Sequence, residues 1–246
     1  LFGGLVANLA TNLKRKQSRV RVFETGRCFL RDAHGGPVAG FAQPWRLSGL
    51  AYGGAVPEQW GAPARNVDFF DVKGDLEALL APRVARFEKV AHPALHPGRA
   101  ARIVLDGQLI GVVGELHPQW VQKYELPLAP VVFELDLDAL KGASLPQFAE
   151  VSRYPAVIRD LAVVVDHSIG LQALVDGMNS RRQAIVREIG LFDLYTGKGV
   201  GEGKKSLAFR IVMQDTQRTL QDAEVDAAVQ ELVTYLQDAF AAQLRV

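Results

Sequence analysis

One cysteine and two methionines in 246 residues leave little room for sulfur chemistry. A lone Cys28 cannot close an internal disulfide, and it excludes a zinc site built from several cysteines. That usage fits a reducing cytoplasmic setting. No apolar run approaches the ~20 residues that a membrane-crossing helix needs, so no membrane partner is expected. An excess of one charge sign is missing too: 28 Lys and Arg stand against 27 Asp and Glu. The balance holds along the chain, with 17 against 15 in residues 1–150 and 11 against 12 in residues 151–246. Neither part has the broad basic footprint of a protein that holds nucleic acid by phosphate contacts alone. RNA recognition, if present, has to use a local site with shape and base contacts. An initiator Met and a signal-peptide pattern are also missing. The chain opens directly in helical periodicity, with Phe2, Leu5, Val6, Leu9 and Leu13 on one face. We read it as a piece of a longer polypeptide.

What is present suits a globular protein of about two domains. Hydrophobic residues make up 48% and charged residues 22%, enough apolar material for a core. Residues 1–13 read as a helix closed by Lys14, Arg15 and Lys16, where cations suit the negative end of the helix dipole. Strands are expected at 19–30 (broken near Gly26), 45–52, 86–90, 101–105, 109–113 and 131–137, with short helices at 71–80 and 117–123. Asp106–Gly107 is a hairpin signal between two of those strands. The arrangement expected for residues 1–140 is an antiparallel sheet with helices on one side. Gly142, Pro146 and Pro155 mark a linker over 141–152.

The remainder, 153–246, reads as strand 160–166, helix after Ser168, strand 185–195, glycine-rich 196–203, strand 205–213, helix after a Thr219/Asp222 cap, and an edge strand 244–246. That order, βαββαβ, is the ferredoxin-like sandwich, in which two helices cover one sheet face and leave the other open. Fold class is therefore α+β.

Alternation along strands assigns faces. Leu161, Val163, Val165, Phe192, Leu194, Leu207, Phe209, Ile211 and Met213 should point to the helices. Ala162, Val164, Asp193, Tyr195, Ser206, Ala208 and Arg210 should point out. A small residue, an acid, an aromatic, a hydroxyl and a cation on one open face suit a single unstacked base. Tyr195 would stack, Asp193 would accept hydrogen bonds from an N–H edge, and Ala162 would leave room for the ring. Two alternatives stand beside this. Tyr195 could merely cap the sheet edge while Asp193 pairs with a lysine, or the open face could bind another polypeptide, making the domain a protein-interaction module.

RYPAVIRDLAVVV (153–165), LFDLYTG (191–197) and GKKSLAFRIVMQDTQRTL (203–220) resemble the ferredoxin-fold anticodon-binding domain that ends the β subunit of bacterial phenylalanyl-tRNA synthetase. LFGGLVANLATNLKRKQSRVRVFETGRCF (1–29), FFDVKGDLEALL (69–80), HPGRAARIVLDGQLIGVVGELHP (96–118) and VVFELDLDAL (131–140) resemble that subunit's class II synthetase-like core. The resemblance implies that the open face receives the first anticodon base, a guanine, through Ala162, Asp193, Tyr195 and Ser206. It also implies that Arg245 contacts the anticodon stem. The partners it implies are tRNA(Phe) and a catalytic α subunit, in a heterotetramer of two α and two β subunits. ATP and Mg2+ would serve the assembled enzyme, with none held here. The family's editing site and magnesium ligands are expected upstream of Leu1.

A class II ligase also needs an arginine on a motif 2 strand and another from a glycine-rich motif 3 helix, both neutralising charge at phosphorus. Here Arg21 and Glu24 have two residues between them instead of the usual one. The strand toward motif 3 carries Glu134 and Asp136, which would repel ATP. We read this half as a non-catalytic scaffold. His92, His96 and His117 are not a metal triad, because Pro93 and Pro97 break any continuous ligand helix. Gly197–Gly203 joins two strands and lacks the G-K-[ST] ending of a phosphate loop. Lys198, Lys204 and Lys205 there, with Arg210, are candidates for RNA backbone contacts. Cys28 reads as a small core residue in an apolar strand.

Overall fold

The computed structural model describes residues 1–141, 148 and 150–245. Most of the expected linker, Gly142 and Pro146 included, lies outside the described residues. The chain divides into two compact units, Leu1–Leu145 and Pro146–Val246.

In the first unit, helix α1 (Phe2–Lys14) precedes strands β1 (Val20–Arg27), β2 (Leu30–Arg31), β3 (Pro37–Val38), β4 (Phe41–Ala42) and β5 (Trp45–Tyr52). Helix α2 (Phe69–Leu80), β6 (Arg86–Lys89), β7 (Leu95–Leu105), β8 (Gln108–Leu116), α3 (Pro118–Lys123) and β9 (Val131–Asp136) follow. Six strands form one antiparallel sheet in the order β1-β5-β9-β8-β7-β6. Helices lie on both faces, not on one as the sequence suggested. Val72, Leu76 and Leu80 of α2 pack with Ala51, Val131 and Leu135. Leu5, Val6 and Leu9 of α1 pack with Leu50, Leu116 and Val132. Adjacent residues Leu50/Ala51 and Val131/Val132 therefore enter opposite cores. An unbroken apolar run is what a strand covered on both sides requires. β1 continues through Gly26, and the break falls at Cys28, whose N–H reaches the Pro44 carbonyl at 3.0 Å. Cys28 is half-buried beyond the strand, not a core residue within it. Helix α2 starts earlier than its apolar periodicity implied. Asp68 caps Phe70 and Asp71 N–H groups while the Asp71 carboxylate returns to the Asp68 N–H, a reciprocal box.

The second unit contains β10 (Val157–Asp166), α4 (Leu171–Arg181), β11 (Val186–Tyr195), β12 (Lys204–Met213), α5 (Asp222–Phe240) and β13 (Gln243–Leu244). The sheet order is β11-β12-β10-β13, the ferredoxin-like βαββαβ arrangement. Leu161, Val163, Val165, Leu207, Phe209, Ile211 and Met213 are all buried against Leu174 and Met178 of α4 and Val225, Leu232 and Leu236 of α5. The helix caps differ from expectation. Ser168 does not cap α4; its N–H and hydroxyl both donate to the Asp166 carboxylate, at 2.8 and 2.5 Å, in a turn before the helix. The start of α5 is boxed by Gln221 and Glu224, not by Thr219 and Asp222. The closing strand is Gln243–Leu244, and Val246 lies outside the described residues.

Candidate nucleic-acid interface

Antiparallel register carries three rows of side chains across the open face, because directly paired residues share a side. Val164, Ser206 and Tyr195 form one row, and Ala162, Ala208 and Asp193 the next. Asp160, Arg210 and Gly190 form the third. The sequence-expected set Ala162, Asp193, Tyr195 and Ser206 thus lies in two adjacent rows. Ala162 and Ala208 are half-buried and leave a shallow floor, while Asp193 is exposed at the rim. Among the described residues the Asp193 carboxylate has no ion-pair partner, so the alternative pairing with a lysine is not formed.

Tyr195 is 39% exposed and is not beneath the helices. Its hydroxyl donates to the Lys198 carbonyl at 3.2 Å. Its ring lies so close to Gly197 that a Cβ there would stand 2.2 Å from the Tyr195 oxygen. The glycine is needed for that close approach. The Arg245 guanidinium sits 5.0 Å from the Tyr195 ring centroid, a cation–π distance. The Arg245 N–H is tied to the Ala162 carbonyl at 2.9 Å. The chain end thereby joins the site directly. Ser206 differs from expectation: it shares the face by register but is only 4% accessible, flanked by Val164 and Tyr195. It contributes to the floor of the site more than to an offered hydroxyl.

The other departure is in β11. Phe192 and Leu194 were expected to face the helices, yet they are 51% and 53% exposed. An extra residue sits between the Leu191–Phe209 and Asp193–Ala208 pairs. This bulge puts Ile189 and Leu191 against the core and leaves Phe192 outside the ladder. Leu194 keeps its pairing with Leu207, but on the sheet's edge strand, where cover ends. The sequence carried a trace of the bulge: Ile189 and Leu191 keep one phase of alternation and Leu194 the other. Phe192 and Asp160 are the residues near this face that the sequence reading missed. Arg210 donates to both oxygens of Asp160 at 2.9 Å, and its guanidinium stands 4.8 Å from the Phe192 ring centroid. The Arg210 hydrogen bonds hold the Asp160 carboxyl below its ordinary value.

Of the expected basic contacts, Lys198 and Lys204 are exposed and Arg210 is exposed within its ion pair. Lys205 is not available in the same way. It lies on the helix-side parity, half-buried, and its ammonium donates to the His167 and Ile169 carbonyls at 3.1 and 2.6 Å.

In the first unit, the Arg21 guanidinium donates to Asp75 at 3.0 Å and to the Ala55 carbonyl at 3.1 Å. Asp136 pairs with Arg46 at 3.2 Å. The Phe133 ring covers Gly49 so tightly that a Cβ there would meet it at 2.3 Å. An apolar hollow of about 390 Å³ lies beside Arg21 and Asp75, with Phe23, Leu47, Leu79 and Phe133 in its lining. The three histidines each turn Nδ1 to a local backbone N–H: His92 to Ala94, His96 to Gly98 and His117 to Gln119. Burial pushes the His92 imidazole below its usual value, partly offset by Glu134. Among the described residues no helix is long and apolar enough to cross a membrane.

An antiparallel sheet with helices and an open-faced ferredoxin sandwich are the two folds that the resemblance to a tRNA synthetase subunit implied, and family models of that class match both. Residues 1–137 match the model of the phenylalanyl-tRNA synthetase β chain CLM domain, and residues 152–245 match that of the ferredoxin-fold anticodon-binding domain. The chain is 68% identical over 245 residues to the phenylalanine–tRNA ligase β subunit of Dechloromonas aromatica (strain RCB), covering 100% of this chain and 31% of that protein. It is 58% identical to the same subunit of Aromatoleum aromaticum, over 100% of this chain and 31% of that protein, and 55% identical to that of Ralstonia nicotianae, over 100% and 32%. The chain belongs to the phenylalanine–tRNA ligase β subunit family, and it spans about a third of the length of these curated relatives.

Proposed function

We propose that the chain is the tRNA-placing and scaffolding part of an ATP- and Mg2+-dependent phenylalanine–tRNA ligase. Its open sheet face holds the first anticodon base of tRNA(Phe), while chemistry takes place in a separate catalytic α subunit. The observation that carries this is the row Ala162–Ala208–Asp193 beside Tyr195. It combines a small-residue floor, a carboxylate with no ion-pair partner among the described residues and an aromatic ring on one face. A guanine seated there would offer its two Watson–Crick N–H donors to Asp193 and a ring face to Tyr195. Arg245 over the Tyr195 ring, Lys198 beside the Tyr195 hydroxyl and the exposed Lys204 are the cations offered to phosphates of the anticodon arm. That local cluster compensates for a chain with a net charge of only +1.

The first unit serves as scaffold and α-subunit interface in a cytoplasmic assembly of two α and two β subunits. Its Arg21 is engaged by Asp75 and Ala55.

The test is binding of a tRNA(Phe) anticodon stem-loop to the ligase that contains this subunit. Tyr195→Ala is expected to weaken binding by ~1–3 kcal/mol, the worth of one stacked base. Asp193→Ala is expected to cost ~1.5–3 kcal/mol, the range for hydrogen bonds to a charged group. Unchanged affinity in both variants would remove the site. Should they disturb capture of a protein instead, the open sheet face would be a polypeptide-binding surface.

A further inference from the structure

We propose a second base-binding subsite on the same face, formed by Phe192, Arg210 and Asp160, which takes the nucleotide next to the one held by Asp193 and Tyr195. The proposal rests on the reading of that face as an RNA site. Three observations point to it.

First, the β-bulge leaves a large aromatic half exposed on the open face. Phe192 is 51% exposed, while its neighbour Leu191 takes the inward place. Bulges of this kind re-aim side chains beside functional sites. Second, the Arg210 guanidinium is fixed in position. Both Asp160 oxygens accept from it at 2.9 Å, and the Phe192 ring lies 4.8 Å from its carbon. Bases stack on arginine planes as readily as on aromatic rings. A guanidinium already locked in a two-pronged pair loses little freedom when a base settles on it. Third, the spacing fits. The Arg210 row is the next open-face row after the Ala208 row, two residues along β12. Two residues of strand cover ~6.6 Å, about twice the ~3.4 Å rise of stacked nucleotides. Two bases held on neighbouring rows would therefore be splayed apart, as single-stranded recognition requires.

The chemistry differs between the two subsites. Asp193 has an unpaired carboxylate that can read an N–H edge. Asp160 is held by Arg210 in a two-pronged pair in which the two charges offset each other, so the second subsite offers chiefly stacking surface. Recognition there should tolerate any base.

Stem-loop binding to the intact ligase tests this, with the neighbouring nucleotide present or abasic. Phe192→Ala is expected to weaken binding about tenfold, and Phe192→Trp to restore it. The abasic stem-loop should bind the parent about tenfold more weakly, yet bind Phe192→Ala no worse than the normal stem-loop does. Changing the identity of that base should alter affinity less than twofold. Thermal unfolding of each variant within a few degrees of the parent confirms that the edge strand is intact. If Tyr195→Ala and Asp193→Ala weaken binding while Phe192→Ala does not, the second subsite is overturned and the first stands. The second subsite is equally overturned if the abasic change costs parent and Phe192→Ala the same loss of affinity. If none of the variants changes affinity, the face is not an RNA site at all, and both proposals fall together.

Discussion

At the scale of single residues, the site depends on a few close approaches. Tyr195 can fold over the turn because residue 197 has no Cβ. Gly197→Ala should displace the ring and weaken stem-loop binding nearly as much as Tyr195→Ala, while thermal stability changes little. A crystal structure of the variant with Tyr195 unmoved would contradict this. Away from the face, Arg218 holds the Glu224 carboxyl down to about 2 through a pair of hydrogen bonds, helped by the Gln221 N–H. An unfolded glutamate titrates at ~4.3. A carboxyl whose folded value is depressed stabilises the fold above its unfolded value, and that contribution is lost as pH falls through the folded value. Stability should therefore decline as pH falls from ~4.3 toward about 2, with Asp71, also held at about 2 by Arg65, adding to the slope. Arg218→Ala should move the Glu224 titration up toward ~4.3 and flatten that part of the pH profile. An NMR titration of the two proteins decides it. The outward facing of Asp193 and Tyr195 was legible because alternation has a strict period of two and the inward residues of β12 are bulky. The burial of Ser206 was not legible, since it depends on which side chains stand either side of it.

At the scale of elements, simple alternation failed at one place, β11. Apolar residues at 189 and 191 and again at 194 cannot all face one side of a regular strand, so a bulge has to absorb the change of phase. Deleting Phe192 should leave the flanking pairs Leu191–Phe209 and Asp193–Ala208 in regular succession, so the unit should still fold cooperatively. Deleting Leu194 should reverse the facing of Tyr195. Loss of folding on deletion of Phe192 would show that the bulge is structurally required. Helix starts were misread for a related reason. Ser168 and Thr219 are good caps in isolation, but Ser168 is engaged by Asp166 and the reciprocal box at α5 closes between Gln221 and Glu224. The side of the first sheet was misjudged because a strand covered on both faces does not alternate. Leu236 of α5 is fully buried, and Leu236→Ala should cost ~2–5 kcal/mol of stability, measured by denaturant unfolding.

At the scale of the whole molecule, the chain divides into two units. Among the described residues, the cluster around Phe209 draws on the second unit, and the clusters around α1 and α2 draw on the first. Fold class was legible in both, because hairpin signals, periodicity and apolar strands agree locally, but the short strands β2, β3 and β4 of the first unit were not, since two-residue strands carry no periodicity. The architecture around Arg21 was legible only as a departure from a catalytic pattern. Its engagement by Asp75, 54 positions away in sequence, needed the fold. The near-neutral chain fits recognition by a compact base site on the open sheet face. The most direct test replaces the guanine at the first anticodon position by inosine, which lacks one of the N–H donors that Asp193 would accept. Binding to the intact ligase should weaken about tenfold, the equivalent of ~1.4 kcal/mol, and the loss should vanish in Asp193→Ala. An equal loss with and without the Asp193 carboxylate, or no loss in the parent, would contradict the assignment of this face to the anticodon.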